Sequence, residues 1–527
     1  MAIYELVLSH VRVAAERLWQ QELIPYTWLT AGAVCIVSIV YVVYCLYFAP
    51  LCNVPGSTLS KLTSARMNIN GLLGKLGDIS IDEYYSRGDI FVLTPNLVIV
   101  SNPTDCRAIL NNPQFVKSDM YKGFDGHEPN LLSMRSPDLA RLRRKQVGPA
   151  FANGYLNDME PIILECGINA LEKKWDKLIA GSPSGKATIN YSKQFTLATF
   201  DIIGALGFGR RFDSLNDEKS RAVKWVHDYD KLGFAHLVFG GPESFLAKLF
   251  LRRLLKSKEE FMTFGATVAE KRREQLYRGD FEKPKDLLQI LIDAQHPDCK
   301  VPMTDSQVTD NSIILLIGGA DTMSWTLTWT LHYLLLHPEV YRKVTEEVRR
   351  EFTRRHLITY AEGKARLPYL DACIYESMRI QPVSGVPMPR VVPKGGATIQ
   401  GHFLPEGTIA CVCVSGVNHH KGTWSNPRKF MPERFLDDTK LKNNVLTFGS
   451  GVRVCPGRVM ALYELVTILA NLLKDYDFAL PADSLFTPSR LDEHGNPVVM
   501  PRFQSFTVGP RYPKRDCNVL ISSAPEY

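Results

Sequence analysis

The densest chemistry in the chain surrounds one cysteine. Phe448-Gly449-Ser450-Gly451-Val452-Arg453-Val454-Cys455-Pro456-Gly457-Arg458 is followed directly by an apolar helical pattern through Leu473. A cysteine just ahead of a helix faces unpaired backbone N–H groups and the positive end of the helix dipole. That setting favours the thiolate, which is both a nucleophile and a metal ligand. Pro456 suits a first helical position, where its missing N–H is not needed. Gly449, Gly451 and Gly457 let backbone pass close to a flat, bulky group. A buried, inert cysteine after a glycine turn would share the same spacing.

Gly318-Gly319-Ala320-Asp321-Thr322 falls midway along the longest helical pattern. Each glycine costs about 1 kcal/mol relative to alanine in a helix interior. Packing or kinking of the helix would explain the pair; so would close approach of a ligand to the helix axis. Asp321 and Thr322 add a carboxylate and a hydroxyl at that weakened turn, a pair able to hold water and pass protons. Glu376 and Arg379 stand at i,i+3 and share a helix face, a spacing equally suited to a surface salt bridge.

Together and in this order, these segments resemble the cytochrome P450 family. Its haem-binding loop, Phe-x-x-Gly-x-Arg-x-Cys-x-Gly, is matched at each fixed position from Phe448 to Gly457. The resemblance implies haem b with the Cys455 thiolate as axial iron ligand, which pushes electron density toward O–O cleavage. Gly318–Met323 is similar to the family's acid–alcohol motif, with Met323 in place of the usual last hydroxyl residue. Asp321 and Thr322 are then expected to relay protons to bound, reduced dioxygen, and Met323 to narrow the pocket or alter its water network. In the family the Glu-x-x-Arg pair is buried and locked to an arginine of a Pro-Glu-Arg-Phe loop, present here as Pro432–Phe435. Glu376, Arg379 and Arg434 are therefore expected to brace the haem from beneath. Haem propionates drawn into a protein need cationic or hydrogen-bonding partners. The resemblance nominates Arg390, Arg453 and Arg143 for them, with Phe448, Gly449 and Gly457 around the ring. The family usually has Trp or His four residues before that last arginine. Leu139 stands there, so one propionate contact is expected to be absent or supplied elsewhere. Arg141–Lys145 also reads as a solvated basic helix face.

These residues need a frame, and the pattern predicts a mainly α fold with small β-sheets. The long helix should begin at Thr304, whose spacing to Gln307 is that of a capping box, and run to His337, ahead of Pro338. Further helical patterns cover Leu139–Lys145, Asp158–Ile179, Gln194–Leu206 and Phe261–Tyr277. Ile90–Val100 reads as two strands around Thr-Pro-Asn, and strand composition returns over Val391–Val414 and in the C-terminal tail. Gly181–Gly185 and Arg278–Lys285 read as polar connections inside one unit.

Thr27–Phe48 is almost wholly apolar, and its 22 residues lie in a stretch without charge between Glu22 and Lys61. As a helix they would extend about 33 Å, matching a hydrocarbon core of about 30 Å. A cleaved signal peptide would need a shorter stretch nearer Met1, and a buried core helix is the other reading. The expected organisation is an N-terminal segment 1–26, a transmembrane anchor 27–48, a Pro/Gly linker 49–60 and a haem-thiolate catalytic domain 61–527. Charge does not orient the anchor, since Arg12 and Arg17 balance Lys61 and Arg66. The resemblance implies a single-pass protein of the endoplasmic reticulum membrane with a cytosolic catalytic domain.

The 527 residues are 45% hydrophobic and 22% charged, with a net charge of +7, an ordinary globular balance that makes no case for nucleic acid. The 11 cysteines are odd in number and mostly inside apolar runs, against a secreted disulfide framework. Cys411-Val412-Cys413 reads as two buried strand residues. Pocket segments carried over from the family are Lys117–Pro137, parts of Phe234–Leu254, Ile313–Thr322, Val383–Met388 and Val498–Ser505. Their apolar character predicts a lipophilic substrate such as a terpenoid, steroid, fatty acid or polyketide. No flavin or nicotinamide fingerprint occurs, so electrons are expected from another protein. The resemblance implies NADPH-cytochrome P450 reductase, with cytochrome b5 as a further donor, docking on Arg141, Arg144, Lys145, Lys440 and Lys442. A haem-thiolate isomerase, dehydratase or peroxygenase, and a non-catalytic membrane haem protein, are the alternatives. Asp321-Thr322 favours oxygen activation over the first, and the lipophilic pocket segments disfavour the second.

Overall fold

The computed structural model describes residues 28–217, 221–239, 245–279, 283–354, 356–385 and 387–525. The expected segment 1–26 and Thr27 lie outside the described residues. So do Val386 and 240–244, in two expected pocket segments, and 280–282, in a polar connection.

The apolar run forms a helix, Trp28–Phe48, whose last turn, Tyr44–Phe48, widens to π-type bonding. Val34, Val37 and Val40 are 64%, 67% and 62% exposed, so the helix is not a core element. A helix apolar all round and left uncovered by protein is suited to lipid. The Tyr41 hydroxyl donates to Leu62 O at 2.8 Å, tying the end of this helix to the folded body. Residues 49–60, expected as a linker, are built into that body. Leu51 and Val54 are buried. Val92 N–H donates to Pro55 O at 2.7 Å, and Gly56 bridges Val92.

Seven helices position the site: α1 (Pro137–Val147), α2 (Tyr191–Phe208), α3 (Arg221–Phe239), α4 (Arg252–Arg278), α5 (Asp305–Leu336), α6 (Pro368–Ile380) and α7 (Arg458–Asp475). The capping box at the head of α5 forms as its spacing predicts. Thr304 Oγ1 accepts from Gln307 N–H at 3.2 Å, and Gln307 Oε1 accepts from Thr304 N–H at 3.4 Å. Its 32 residues extend about 48 Å, enough to cross the domain. Helix α2 is buried on nearly every face and lies along α5, where the Thr199 hydroxyl donates to Ala320 O at 3.2 Å. The single helix expected over Asp158–Ile179 is three consecutive segments, Asn153–Ile163, a π-turn Leu164–Asn169 and Ala170–Ala180. Pro161, which cannot donate to the turn before it, sits just ahead of the widening.

The strands are β1 (Ile90–Thr94), β2 (Leu97–Val100), β3 (Lys186–Asn190), β4 (Met388–Val391), β5 (Ala397–Ile399), β6 (His402–Leu404), β7 (Ile409–Val412), β8 (Tyr476–Ala479), β9 (Arg502–Gln504), β10 (Val508–Pro510) and β11 (Asn518–Ser523). The main sheet has the order β1-β2-β7-β4, with β2 parallel to β7 and the other pairs antiparallel. A second sheet, β3-β11-β8, and the hairpins β5-β6 and β9-β10 complete the β-structure. The register Arg390↔Ala410 fixes Arg390 on β4, an edge strand of the main sheet, against β7. Cys411 is a buried residue of β7, whereas Cys413 ends the strand and caps a short helix, its Sγ accepting from Gly416 N–H at 3.3 Å.

Candidate active site

Cys455 is held by a loop that closes on itself: its N–H donates to Phe448 O at 2.8 Å. Gly451, at φ +68°, is irreplaceable on two counts. Its backbone is left-handed, and a Cβ there would lie 2.5 Å from Asn111 Oδ1 and 2.7 Å from Leu110 O. Helix α7 starts at Arg458 with Gly457 as its cap, so Pro456 precedes the cap rather than occupying the first helical turn. Cys455 lies deep in the protein yet is open to an interior cavity. Burial pushes its thiol pKa up, while the Gly457 N–H and the charges of Arg144 and Arg458 pull it down. The helix-end field expected from the sequence is present, and desolvation outweighs it in the protein alone.

Another wall of that cavity is the middle of α5. The two glycines there do different work. A Cβ on Gly318 would meet nothing within 4 Å, and this residue lines the cavity; a Cβ on Gly319 would lie 2.6 Å from Ile203 Cδ1 of α2. One glycine keeps the cavity open and the other admits the neighbouring helix. The Thr322 hydroxyl donates back to Gly318 O at 2.5 Å. Asp321, buried, forms an ion pair with His227 of α3 (Nε2 to Oδ1, 3.1 Å). His227 stacks on Trp325, with ring centroids 6.0 Å apart and planes 14° apart. Asp321 raises the His227 pKa despite the opposing effect of burial. Met323 is buried and also lines the cavity, so a thioether stands where the family has a hydroxyl.

The cavity encloses about 2150 Å³ of open space, its mouth included, and its wall is mainly apolar. The segments 117–137, 313–322 and 383–388 contribute as expected. The C-terminal segment does so one step further on, through Phe506 and Thr507 rather than any residue of 498–505. These two sit in the turn between β9 and β10, which points the hairpin tip inward. Ile203 and Asp230 join from α2 and α3, outside the expected segments.

Residues 82–502 match the family model described as Cytochrome P450. The chain is 39% identical to Cytochrome P450 monooxygenase helB2 of Aspergillus fumigatus over 483 residues, 90% of this chain and 95% of that protein. It is 37% identical to Cytochrome P450 monooxygenase helB1 of the same fungus, over 90% of this chain and 82% of that protein. The chain belongs to the cytochrome P450 family. It is accordingly a P450 monooxygenase, and its cofactor is a haem with a cysteine thiolate on the iron. It is also 28% identical to the Trichothecene C-4 hydroxylase of Trichoderma arundinaceum, over 84% of this chain and 89% of that protein.

The cavity of this P450 fits such a group. Lys117, Arg144, Arg390 and Arg453 all line it. Their mutual repulsion, with burial leading, lowers the pKa of Lys117 and brings that of Arg453 to about 10. Among the described residues, no carboxylate forms an ion pair with any of the four. Desolvated cations gathered without a carboxylate call for an anion, and the two propionates of haem b supply that charge. Arg143, nominated from the sequence, is not in the cavity lining. It lies on the buried stripe of α1 with Ala140 and Val147, and its Nη1 donates to Gln146 Oε1 at 3.0 Å. Arg144, about 100° further round the helix, turns to the cavity and donates to Val454 O at 2.6 Å. The residue four positions before Arg144 is the buried Ala140, and Leu139 is exposed on the outer surface.

On α6, Glu376 accepts a two-pronged contact from Arg379 (Nε and Nη2, 2.8 Å each) and from Arg434 Nε at 3.1 Å. Met431 N–H adds a fourth donor at 2.8 Å. Glu376 and Arg379 are 0% exposed, which excludes the surface salt bridge. Arg379 Nη1 donates onward to Asn418 O and Pro427 O.

Proposed function

We infer that this P450 is a membrane-anchored monooxygenase of lipophilic small molecules, of the terpenoid, steroid, fatty-acid or polyketide kind. Its electrons come from NADPH through a separate cytochrome P450 reductase. The observation that carries this reading is that Cys455, Asp321 and Thr322 line one largely apolar cavity. The bound haem supplies the iron at which dioxygen is activated and one oxygen atom is delivered to substrate. Cys455 would supply its thiolate to the iron, with Phe448, Gly449 and Gly457 around it, and Lys117, Arg144, Arg390 and Arg453 would hold the propionates. Thr322 holds water at the cavity wall, and Asp321 passes protons inward from His227, which keeps the carboxylate oriented. Glu376, Arg379 and Arg434 keep the cysteine loop in place. An apolar wall excludes bulk water and favours a substrate with few charges.

For the reductase, Lys145 and Lys440 are exposed, as is Arg141, which pairs with the exposed Asp138 at 3.2 Å. Arg144 and Lys442 are committed elsewhere, to Val454 O and Asp371. The docking face thus narrows to Arg141, Lys145 and Lys440, and cytochrome b5 would compete for it. The exposed apolar helix supports single-pass anchoring in the endoplasmic reticulum with the catalytic domain in the cytosol.

The test is reconstitution of the purified chain with reductase, NADPH and dioxygen, against a library of lipophiles. Product formation should require all three, and Cys455→Ser should abolish the thiolate band of the reduced, carbon-monoxide-bound protein. Asp321→Asn should slow turnover while leaving that band intact. Product formed without reductase or dioxygen would overturn the reading, as would a surviving thiolate band in the serine variant.

A further inference from the structure

One acid in the cavity wall has no part in the machinery above. Asp230, on α3, is 4% exposed and lines the cavity together with Phe234, one turn further along the same helix face. Its carboxylate is half satisfied. The Ser505 hydroxyl donates to Oδ2, and the Thr507 hydroxyl reaches the same oxygen at 3.5 Å. Among the described residues, Oδ1, also buried, has no hydrogen-bond partner. The surroundings are apolar and aromatic: Phe506, between the two hydroxyl residues, packs on Phe124 at 4.5 Å, and both line the cavity. Leaving a buried carboxylate oxygen unpaired is costly, and native structures keep such groups where something else completes them. The C-terminal hairpin and α3 therefore meet to present an oriented acceptor beside the aromatic pair Phe124–Phe506 of the wall.

We propose that Asp230 is the specificity-determining anchor of this cavity, accepting through Oδ1 a hydrogen bond from a donor group, hydroxyl or cationic N–H, on an otherwise lipophilic substrate. The proposal rests on the reading of the cavity as a monooxygenase substrate pocket and adds what that substrate must carry. Burial and the nearby Asp321 push the Asp230 carboxyl up to about 7, so a donor that satisfies Oδ1 also relieves the strain of holding charge there. Ser505 is a positioning residue, because its hydroxyl holds the carboxylate in the orientation that leaves Oδ1 free. A pocket that fixes one polar group of a bulky apolar molecule sets which carbon faces the reacting centre.

The test is spectral titration of the holoprotein with dodecane, dodecan-1-ol and dodecylguanidinium, following displacement of iron-bound water. A hydrogen bond to a charged acceptor predicts that wild type binds a donor-bearing probe about tenfold to a hundredfold tighter than Asp230→Leu does, after correction by the dodecane ratio. A larger gain for the alcohol identifies a neutral donor, and a larger gain for the guanidinium a cationic one. Ser505→Ala should lose part of the gain. Should Asp230→Leu fail to take up haem, Asp230→Asn carries the test: it keeps an acceptor for the alcohol and loses the guanidinium preference. Equal dodecane-corrected affinities in wild type and variant, or no binding of either donor probe, would overturn the anchor while the thiolate band stays intact. A wild type without that band would instead overturn the reading of the pocket.

Discussion

Replacing Glu376 with glutamine removes the one negative charge shared by two buried guanidiniums. Arg379 is wholly buried and Arg434 nearly so, and both direct N–H groups at the same carboxylate. Glutamine keeps the shape and an acceptor, so packing barely changes and the loss is electrostatic. Breaking a buried ion pair by neutralising one partner costs about 3–5 kcal/mol, because the remaining charge stays buried. That is a large share of a total stability of about 5–15 kcal/mol. With an unfolding entropy of about 2.1 cal/mol/K per residue, a catalytic unit of this size changes by ~1 kcal/mol per degree, so Tm should fall by about 3–5 °C. Calorimetry of the haem-loaded variant measures that shift, and the reduced carbon-monoxide spectrum reports how much thiolate ligation survives. Arg434→Met should cost less, since Glu376 then keeps both prongs of Arg379 and the Met431 N–H. A Tm within about 1 °C of wild type for Glu376→Gln, or a larger loss for Arg434→Met, would refute the idea that Glu376 is the shared counter-charge.

Arg144→Ala should weaken haem retention, measured as haem released to apomyoglobin, whereas Arg143→Ala should leave the release rate near wild type; the reverse order would restore the sequence-based assignment. Gly319→Ala forces a methyl against Ile203 and should cost about 1–3 kcal/mol by thermal unfolding, while Gly318→Ala should gain up to about 1 kcal/mol and shift ligand affinity. The His227–Asp321 pair should show its sign in pH. A histidine whose folded pKa is raised contributes stability that is fully present below its unfolded value of about 6.5 and is lost as pH rises through the raised value. The Tm gap between wild type and His227→Gln should therefore be larger at about pH 6 than at about pH 9. A gap that does not vary with pH would show that the pair is not ionic.

Features governed by neighbours in the chain were legible before any fold was known. The glycines and arginine around Cys455 declare a loop that must bend sharply and present a thiolate. The Thr304–Gln307 spacing declares where α5 begins. The apolar run ending at Phe48 declares a helix that water would not solvate. Even the Glu376–Arg379 pair was visible, since i,i+3 spacing is a property of one helix. What such spacing cannot express is the rotation of a helix about its own axis relative to the rest of the molecule. Arg143 and Arg144 are equally basic neighbours, and only the docking of α1 turns one inward and leaves the other on the buried stripe with Ala140 and Val147. Asp321 meets His227 across about ninety residues of chain, and Asp230 meets Ser505 across about 275. The cavity takes Phe506 and Thr507, rather than the residues just before them, because a two-strand hairpin points its turn inward. Local rules thus determined the cysteine loop, the glycine-weakened turn of α5 and the Glu376–Arg379 pair. The cavity's polar geometry arises from contacts between segments far apart in sequence, whose meeting depends on how whole helices pack, and only the tertiary structure decided it.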